Sequence, residues 1–165
     1  MWTAASVFVC ALSLLGRSPQ SFPPTEFVDT ASAGVSPLAM AYISREEAAA
    51  HIVLVTSTWA FMNARRSRIQ CGDVDAIREI AGVLAHEEWH ILHGDNEEGA
   101  YDWQLVTLLR VGEPFDGALI HKVKKAKEAV LAAARRADKA TVVARGNTSS
   151  LESATSTSIP SRSGP

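Results

Sequence analysis

The sequence predicts a mainly α fold with room for a short β element ahead of its central helix. Three observations carry this. Between residues 74 and 92 the apolar side chains Ile77, Ile80, Ala81, Leu84 and Ile91 recur at three- and four-residue steps, which draws one face of a helix. Gly94, then Gly112 and Pro114, cut the following stretch into pieces of helical length. The one run rich in β-branched residues, HIVLVTSTWAF at 51–61, comes before that helix and is short. A chain of 165 residues suits one domain with a modest core.

The opening MWTAASVFVCALSLLG is apolar over about the length of a signal peptide's hydrophobic region, and its first charge is Arg17. It lacks a basic start and a small-x-small cleavage site, and it is shorter than the roughly 20 apolar residues of a membrane span. Cytoplasmic residence and secretion after an atypical signal peptide both stay open, and Met40 offers a later start. Residues 17–39 mix Pro, Ser, Gly and Thr without apolar period and read as a linker. The sequence therefore divides into an apolar segment and linker at 1–43, an ordered domain at 44–140, and a Ser/Thr-rich tail at 141–165 expected to be disordered.

Within the ordered part, Ser44 and Glu47 of SREE match a capping box. Two readings compete for the next stretch: one helix from Arg45 to about Arg65, or a short helix and then a strand over 51–58. The all-helical reading is preferred, because no turn signal interrupts 47–61. Asp73 then caps the helix that ends at Gly94, and Asp95 or Asn96 caps another over 97–111, with Ala100, Leu105, Leu108 and Leu109 inward. A last helix spans 116–140. Leu119, Ile120, Val123, Ala126, Val130 and Leu131 form its apolar side, and Lys122, Lys124, Lys125, Lys127, Arg135, Arg136 and Lys139 its basic side. That basic side reads first as a solvated face and second as a contact for an acidic partner or a membrane surface.

With 16 basic and 18 acidic residues, the net charge of −2 gives no reason to expect nucleic acid. Cys10 and Cys71 lie far apart, Cys10 inside the apolar opening, so no disulfide is expected and the redox compartment is undetermined. Nothing in the sequence fixes the oligomeric state.

The chemistry concentrates in LAHEEWHILHG (84–94) and DNEEGAYDWQL (95–105). His86 and His90, four apart, project from one helical face and can grip one ion. Neutral imidazoles leave the charge of a zinc ion intact, and the carboxylate of Glu87, next to the first ligand, can take a proton from the attacking water. A catalytic zinc site generally has three protein ligands, and His93, Glu97 and Glu98 are the candidates for the third. His93 returns to nearly the direction of His86 but about 10 Å further along the axis, which ranks it lowest. Glu97 shares a side of its helix with Ala100, Tyr101 and Gln104. Glu98 has Asp102 one turn later as a supporting carboxylate.

These two segments resemble the active-site region of zincin-type zinc metallopeptidases, and more narrowly small bacterial proteins in which a glutamate soon after HExxH opens a second helix as E-x-x-A-Y. That resemblance implies a minimal zincin-like helical core over 44–140, Zn2+ as cofactor, His86, His90 and Glu97 as metal ligands, and Glu87 as catalytic general base. The larger glutamate-zincins instead imply Glu98 as third ligand, so the choice stays open. Zincins also set an edge strand beside the active helix to hold an extended peptide, and only HIVLVTST or SRIQ offers one here. The expected function is zinc-dependent hydrolysis of peptide bonds in a peptide or protein substrate. The alternatives are a non-catalytic, zinc-stabilised helical protein and a helical interaction module.

Overall fold

The computed structural model describes residues 1–45 and 49–152. The chain divides into two compact units, 1–127 and 128–165. The first contains helices α1 (Ala4–Leu14), α2 (Trp59–Arg66), α3 (Val74–His93) and α4 (Glu97–Arg110), a three-stranded sheet, and the start of α5 (Ala118–Glu152). In the second unit, α5 continues to Glu152. The fold is mainly α, as the sequence predicts. The expected disorder of the tail falls on described residues only as far as Glu152, where the backbone is helical; 153–165 lie outside the described residues.

The largest correction is at the start of the chain. An ordered domain beginning near Ser44 is not what forms, because α1 is a core element: Val7, Phe8, Ala11 and Leu12 are buried in the same cluster as Ile77, Ile80 and Leu84 of α3. Thr3 caps α1 by accepting from Ser6 N–H. The preceding residue is tied down twice, Trp2 N–H donating to Arg65 O at 2.8 Å and Trp2 Nε1 to Ser67 O at 3.1 Å. Cys10 and Cys71 form a disulfide, their Cα atoms 5.5 Å apart. The expectation of no disulfide fails because α1 is packed beside the turn that precedes α3. No helix among the described residues is long and apolar enough to cross a membrane.

The supposed linker supplies strand β1 (Thr25–Val28), and β2 (Ala41–Ser44) follows it. Together with β3 (His51–Val55) they form a sheet in the order β1-β3-β2. β3 runs parallel to β1, with Thr25 opposite Ile52, and antiparallel to β2, with Tyr42 opposite Val53. The preferred helix over 45–65 is thus replaced by a strand and a separate helix α2. The reason is tertiary: with neighbours on both sides, the β-branched run 52–55 satisfies its backbone in the sheet and buries every side chain. Thr56 ends the strand, its hydroxyl donating to Val28 O and Asp29 Oδ1. Ser44 belongs to β2; the remainder of the predicted capping box falls on 46–48, outside the described residues.

α3 is the axis of the first unit, packed against α1, α2, α4 and the sheet. Asp73 caps it by accepting from Ala76 N–H, as the sequence predicts. α4 lies close along it. A Cβ at Gly82 would come within 3.0 Å of Leu108 Cδ2, and one at Gly99 within 2.8 Å of Trp89 Cζ2, so a glycine on each helix lets the two backbones approach. α4 buries Ala100, Gln104, Thr107 and Leu108. Leu109, expected inward, is exposed because it sits about 100° round from Leu108. Ile120 and Val123 of α5 complete a second small cluster with Leu108. On the basic side of α5, Lys122 pairs with Glu79 and Lys127 with Asp102 and Glu98. Lys124 Nζ lies 4.7 Å from the centre of the Phe115 ring.

Candidate metal centre

Helical spacing puts His86 and His90 one turn apart on α3, both buried, with their Nε2 atoms 3.1 Å from each other. The chain then reverses through Gly94, whose φ of +80° suits glycine alone among ordinary residues. Asn96 caps α4 by accepting from Gly99 N–H at 3.1 Å. Glu97 therefore opens α4 directly over the two imidazoles, with Oε2 at 3.5 Å from His86 Nε2 and Oε1 at 3.6 Å from His90 Nε2.

These separations fit a metal ion. A tetrahedral ion with bonds of about 2.0–2.1 Å has ligand-to-ligand edges of roughly 3.3–3.4 Å. The two nitrogens are 3.1 Å apart and each faces its own Glu97 oxygen, Oε2 at 3.5 Å from His86 and Oε1 at 3.6 Å from His90; with one atom taken from each residue, the three lie within 4.8 Å of one another, which a small closure brings onto one ion. The His86, His90 and Glu97 group can hold a metal ion.

The imidazoles are oriented for it. His90 Nδ1 donates to Gly94 O at 2.9 Å, which leaves the Nε2 lone pair turned toward Glu97. His86 is held by the Tyr101 ring, packed edge-on with ring centres 4.6 Å apart. His86 Nδ1 is buried without a hydrogen-bond partner among the described residues, so its Nε2 is the nitrogen aimed at the cluster.

The remaining candidates go elsewhere. His93 stacks on Trp89 at 3.9 Å and donates from Nδ1 to Trp89 O, as expected of a histidine near a helix C-terminus. Glu98 points to Lys127 Nζ at 3.7 Å, and Asp102 to the same nitrogen at 2.6 Å. Of the two glutamates left open by the sequence, the structure brings Glu97 to the histidines. Glu88 turns to the other side of α3 and pairs with Arg17.

No protein-family model, curated protein sequence or solved structure matches this chain.

Glu87 is buried and faces the same cleft as the cluster. Burial, with the nearby charge of Glu97 adding to it, pushes its carboxyl up to about 8. Contact with His86 holds Glu97 below the usual carboxylate range, against an opposing contribution from its partial burial. The Tyr101 hydroxyl is raised, mainly by burial and then by Glu97 and Glu87.

The cleft has a volume of about 460 Å³ and is walled on one side by His86, Glu87, His90, Asp95 and Glu97, on the other by Ala41, Tyr42, Ile43 and Arg45. Its strand wall is β2, not β3 or the SRIQ segment, which forms turns. Met40 O accepts from Val55 N–H, so with a period of two Tyr42 directs its backbone to β3 while Ala41 and Ile43 direct theirs outward. No other strand pairs with this outer edge among the described residues. β2 and Arg45 escape the sequence reading because four residues are too short to show a period. Only the alternation of Tyr42 and Ser44 with Ala41 and Ile43 hints at them.

Proposed function

We propose that the protein is a zinc-dependent hydrolase that cleaves peptide bonds, with His86, His90 and Glu97 as zinc ligands and Glu87 as general base. The observation that carries this reading is the three-ligand cluster opening into a cleft walled by an unpaired strand edge. Three ligands leave a coordination position free, as catalytic sites do and structural zinc sites do not. A fourth ligand from His93 would have favoured a purely structural ion, and His93 is engaged with Trp89.

A zinc ion bound there would supply Lewis acidity for the substrate carbonyl and make water more acidic. The chain does the rest. An extended peptide adds to the outer edge of β2, its backbone bonding to Ala41 and Ile43 and its carbonyl set against the cluster. Glu87 accepts a proton from the water as the water oxygen attacks the carbonyl carbon. It passes that proton to the nitrogen as the C–N bond breaks. Its burial and the neighbouring charge of Glu97, which raise its proton affinity, suit a base that must also act as an acid. The Tyr101 ring, packed edge-on against His86, holds that imidazole in place.

The test is metal content together with peptide hydrolysis by the purified protein and by Glu87→Gln. Wild type should carry one equivalent of zinc and hydrolyse peptide, and the variant should keep the zinc and lose hydrolysis. Loss of zinc from the variant, or undiminished hydrolysis by it, contradicts the role given to Glu87.

A further inference from the structure

The charges lining the cleft are unequal. Glu87, Asp95 and Glu97 face it from α3, the turn and α4, and Arg45 is the one Lys or Arg side chain among the described lining residues. Arg45 follows β2 directly and reaches across to the turn between α3 and α4, where one guanidinium nitrogen meets Asp95 Oδ1 at 2.9 Å. Both partners are exposed, 53% for Arg45 and 81% for Asp95. Pairs so exposed to water contribute little and exchange readily. The rest of the guanidinium fork makes no hydrogen bond among the described residues. A peptide added along Ala41 and Ile43 runs past this fork, whose geometry matches a carboxylate in two-point contact.

We propose that Arg45 is a specificity-determining residue that seats a substrate carboxylate, so that the cleft takes peptides with an acidic side chain or a free C-terminal carboxyl near the bond to be cleaved. The inference rests on the hydrolase reading for the bond being cleaved, and on the cleft alone for the preference. Asp95 engages one guanidinium nitrogen through one oxygen, so the remaining donors of Arg45 are open to a substrate carboxylate without the pair being broken. Neutral peptides gain nothing from either residue.

The experiment measures peptide binding by the zinc-loaded full chain carrying Glu87→Gln, which removes turnover from the readout. The probes are alanine hexapeptides with a single Glu moved along the chain, each paired with its Gln counterpart, and the all-alanine hexapeptide as free acid and as C-terminal amide. At one placement, side chain or terminus, the carboxylate form should bind about five- to tenfold tighter than its neutral partner. Adding Arg45→Gln should erase the difference. Arg45→Lys, which keeps the charge without the fork, should retain only part of it. Arg45→Glu should turn the preference toward a Lys-containing peptide. Circular dichroism and zinc content identify any variant that has lost its fold, and the Lys variant then stands in for it. Equal affinity for carboxylate and neutral peptides, a preference that survives Arg45→Gln, or no peptide binding at all overturns the proposal. Hydrolysis by wild type without an acidic preference overturns it while sparing the hydrolase reading. An Arg45-dependent preference in a protein that hydrolyses nothing does the reverse.

Discussion

Gly99 of α4 lies flat against the Trp89 ring of α3, so close that a Cβ there would stand 2.8 Å from Trp89 Cζ2 and 3.1 Å from Nε1. Because Gly99 is two residues after Glu97, this contact sets how near the carboxylate comes to the histidines. Gly99→Ala gains up to about 1 kcal/mol of helix propensity but forces the ring or the helix to move, which typically costs about 1–3 kcal/mol. The variant is expected to be neutral to about 3 kcal/mol less stable in urea unfolding. Its zinc affinity in chelator competition should fall by about tenfold or more, because α4 is displaced where Glu97 begins. Unchanged affinity would mean that the hairpin's close approach is not what positions the third ligand.

Ligand assignment is tested by contrast. His86→Ala, His90→Ala and Glu97→Ala should each weaken zinc binding by more than the roughly 10–100-fold that loss of a supporting hydrogen bond costs. His93→Ala and Glu98→Gln should leave it within about a factor of three, since His93 is held by Trp89 and Glu98 by Lys127. Atomic absorption on protein purified without added metal gives the comparison directly. A metal-depleted Glu98→Gln beside a metal-replete Glu97→Ala would exchange their roles.

The helices that build the site were legible because their signals are local. Asp73 caps α3 and Gly94 turns the chain after it, as residue type and spacing indicate, and of the two caps open for α4, Asp95 and Asn96, Asn96 takes the place. The choice of Glu97 over Glu98 was not, since it depends on which side of α4 packs. That is decided by Gly82 meeting Leu108 and Gly99 meeting Trp89 across the hairpin. The sheet was hidden for a different reason. β3 gains its advantage over a helix only from β1 and β2, and both are four-residue strands in stretches without apolar period. The core role of α1 stayed out of sight because an apolar opening segment looks the same whether it is exported or folded inward.

Glu87 makes the stability of the metal-free protein fall as pH rises. Its carboxyl is raised from 4.5 to about 8 in the folded chain, so between those values the native state holds a proton that the unfolded state has lost. Stability contributed by this group is complete below about pH 4.5 and is lost as pH passes through about 8. The loss is on the order of 2–5 kcal/mol at one pKa unit per ~1.4 kcal/mol. Glu97 acts in the opposite sense and only in acid: its lowered carboxyl withdraws support as the pH drops through its folded value. Urea unfolding of chelator-treated protein at pH 6 and pH 9 should show the decline, and Glu87→Gln should flatten it. Saturating zinc should raise stability at both pH values and shrink the difference, because the ion's charge favours the ionised carboxylate and binding stabilises the native state. A metal-free protein more stable at pH 9 than at pH 6 would remove burial of Glu87 as a dominant influence.

Cys10 and Cys71 fasten α1 to the turn before α3 across 61 residues of sequence. Closing a loop of that size restricts the unfolded chain, and loss of such a bond typically costs about 2–4 kcal/mol. Since α1 puts Val7, Phe8, Ala11 and Leu12 into the core, the effect should reach the whole first unit rather than its first turn. Cys10→Ala combined with Cys71→Ser should lower the unfolding free energy by that amount, lower the urea midpoint and steepen the unfolding slope, because the unfolded chain without the cross-link exposes more surface. Reductant should destabilise wild type similarly and leave the double variant unaffected. Zinc affinity should persist wherever the variant remains folded, because His86, His90 and Glu97, the proposed ligands, lie at the opposite end of α3 and on α4. A wild-type midpoint insensitive to reductant would show either that the two thiols do not join or that α1 holds its place without the bond. Mass measurement after alkylation under non-reducing conditions separates these two cases.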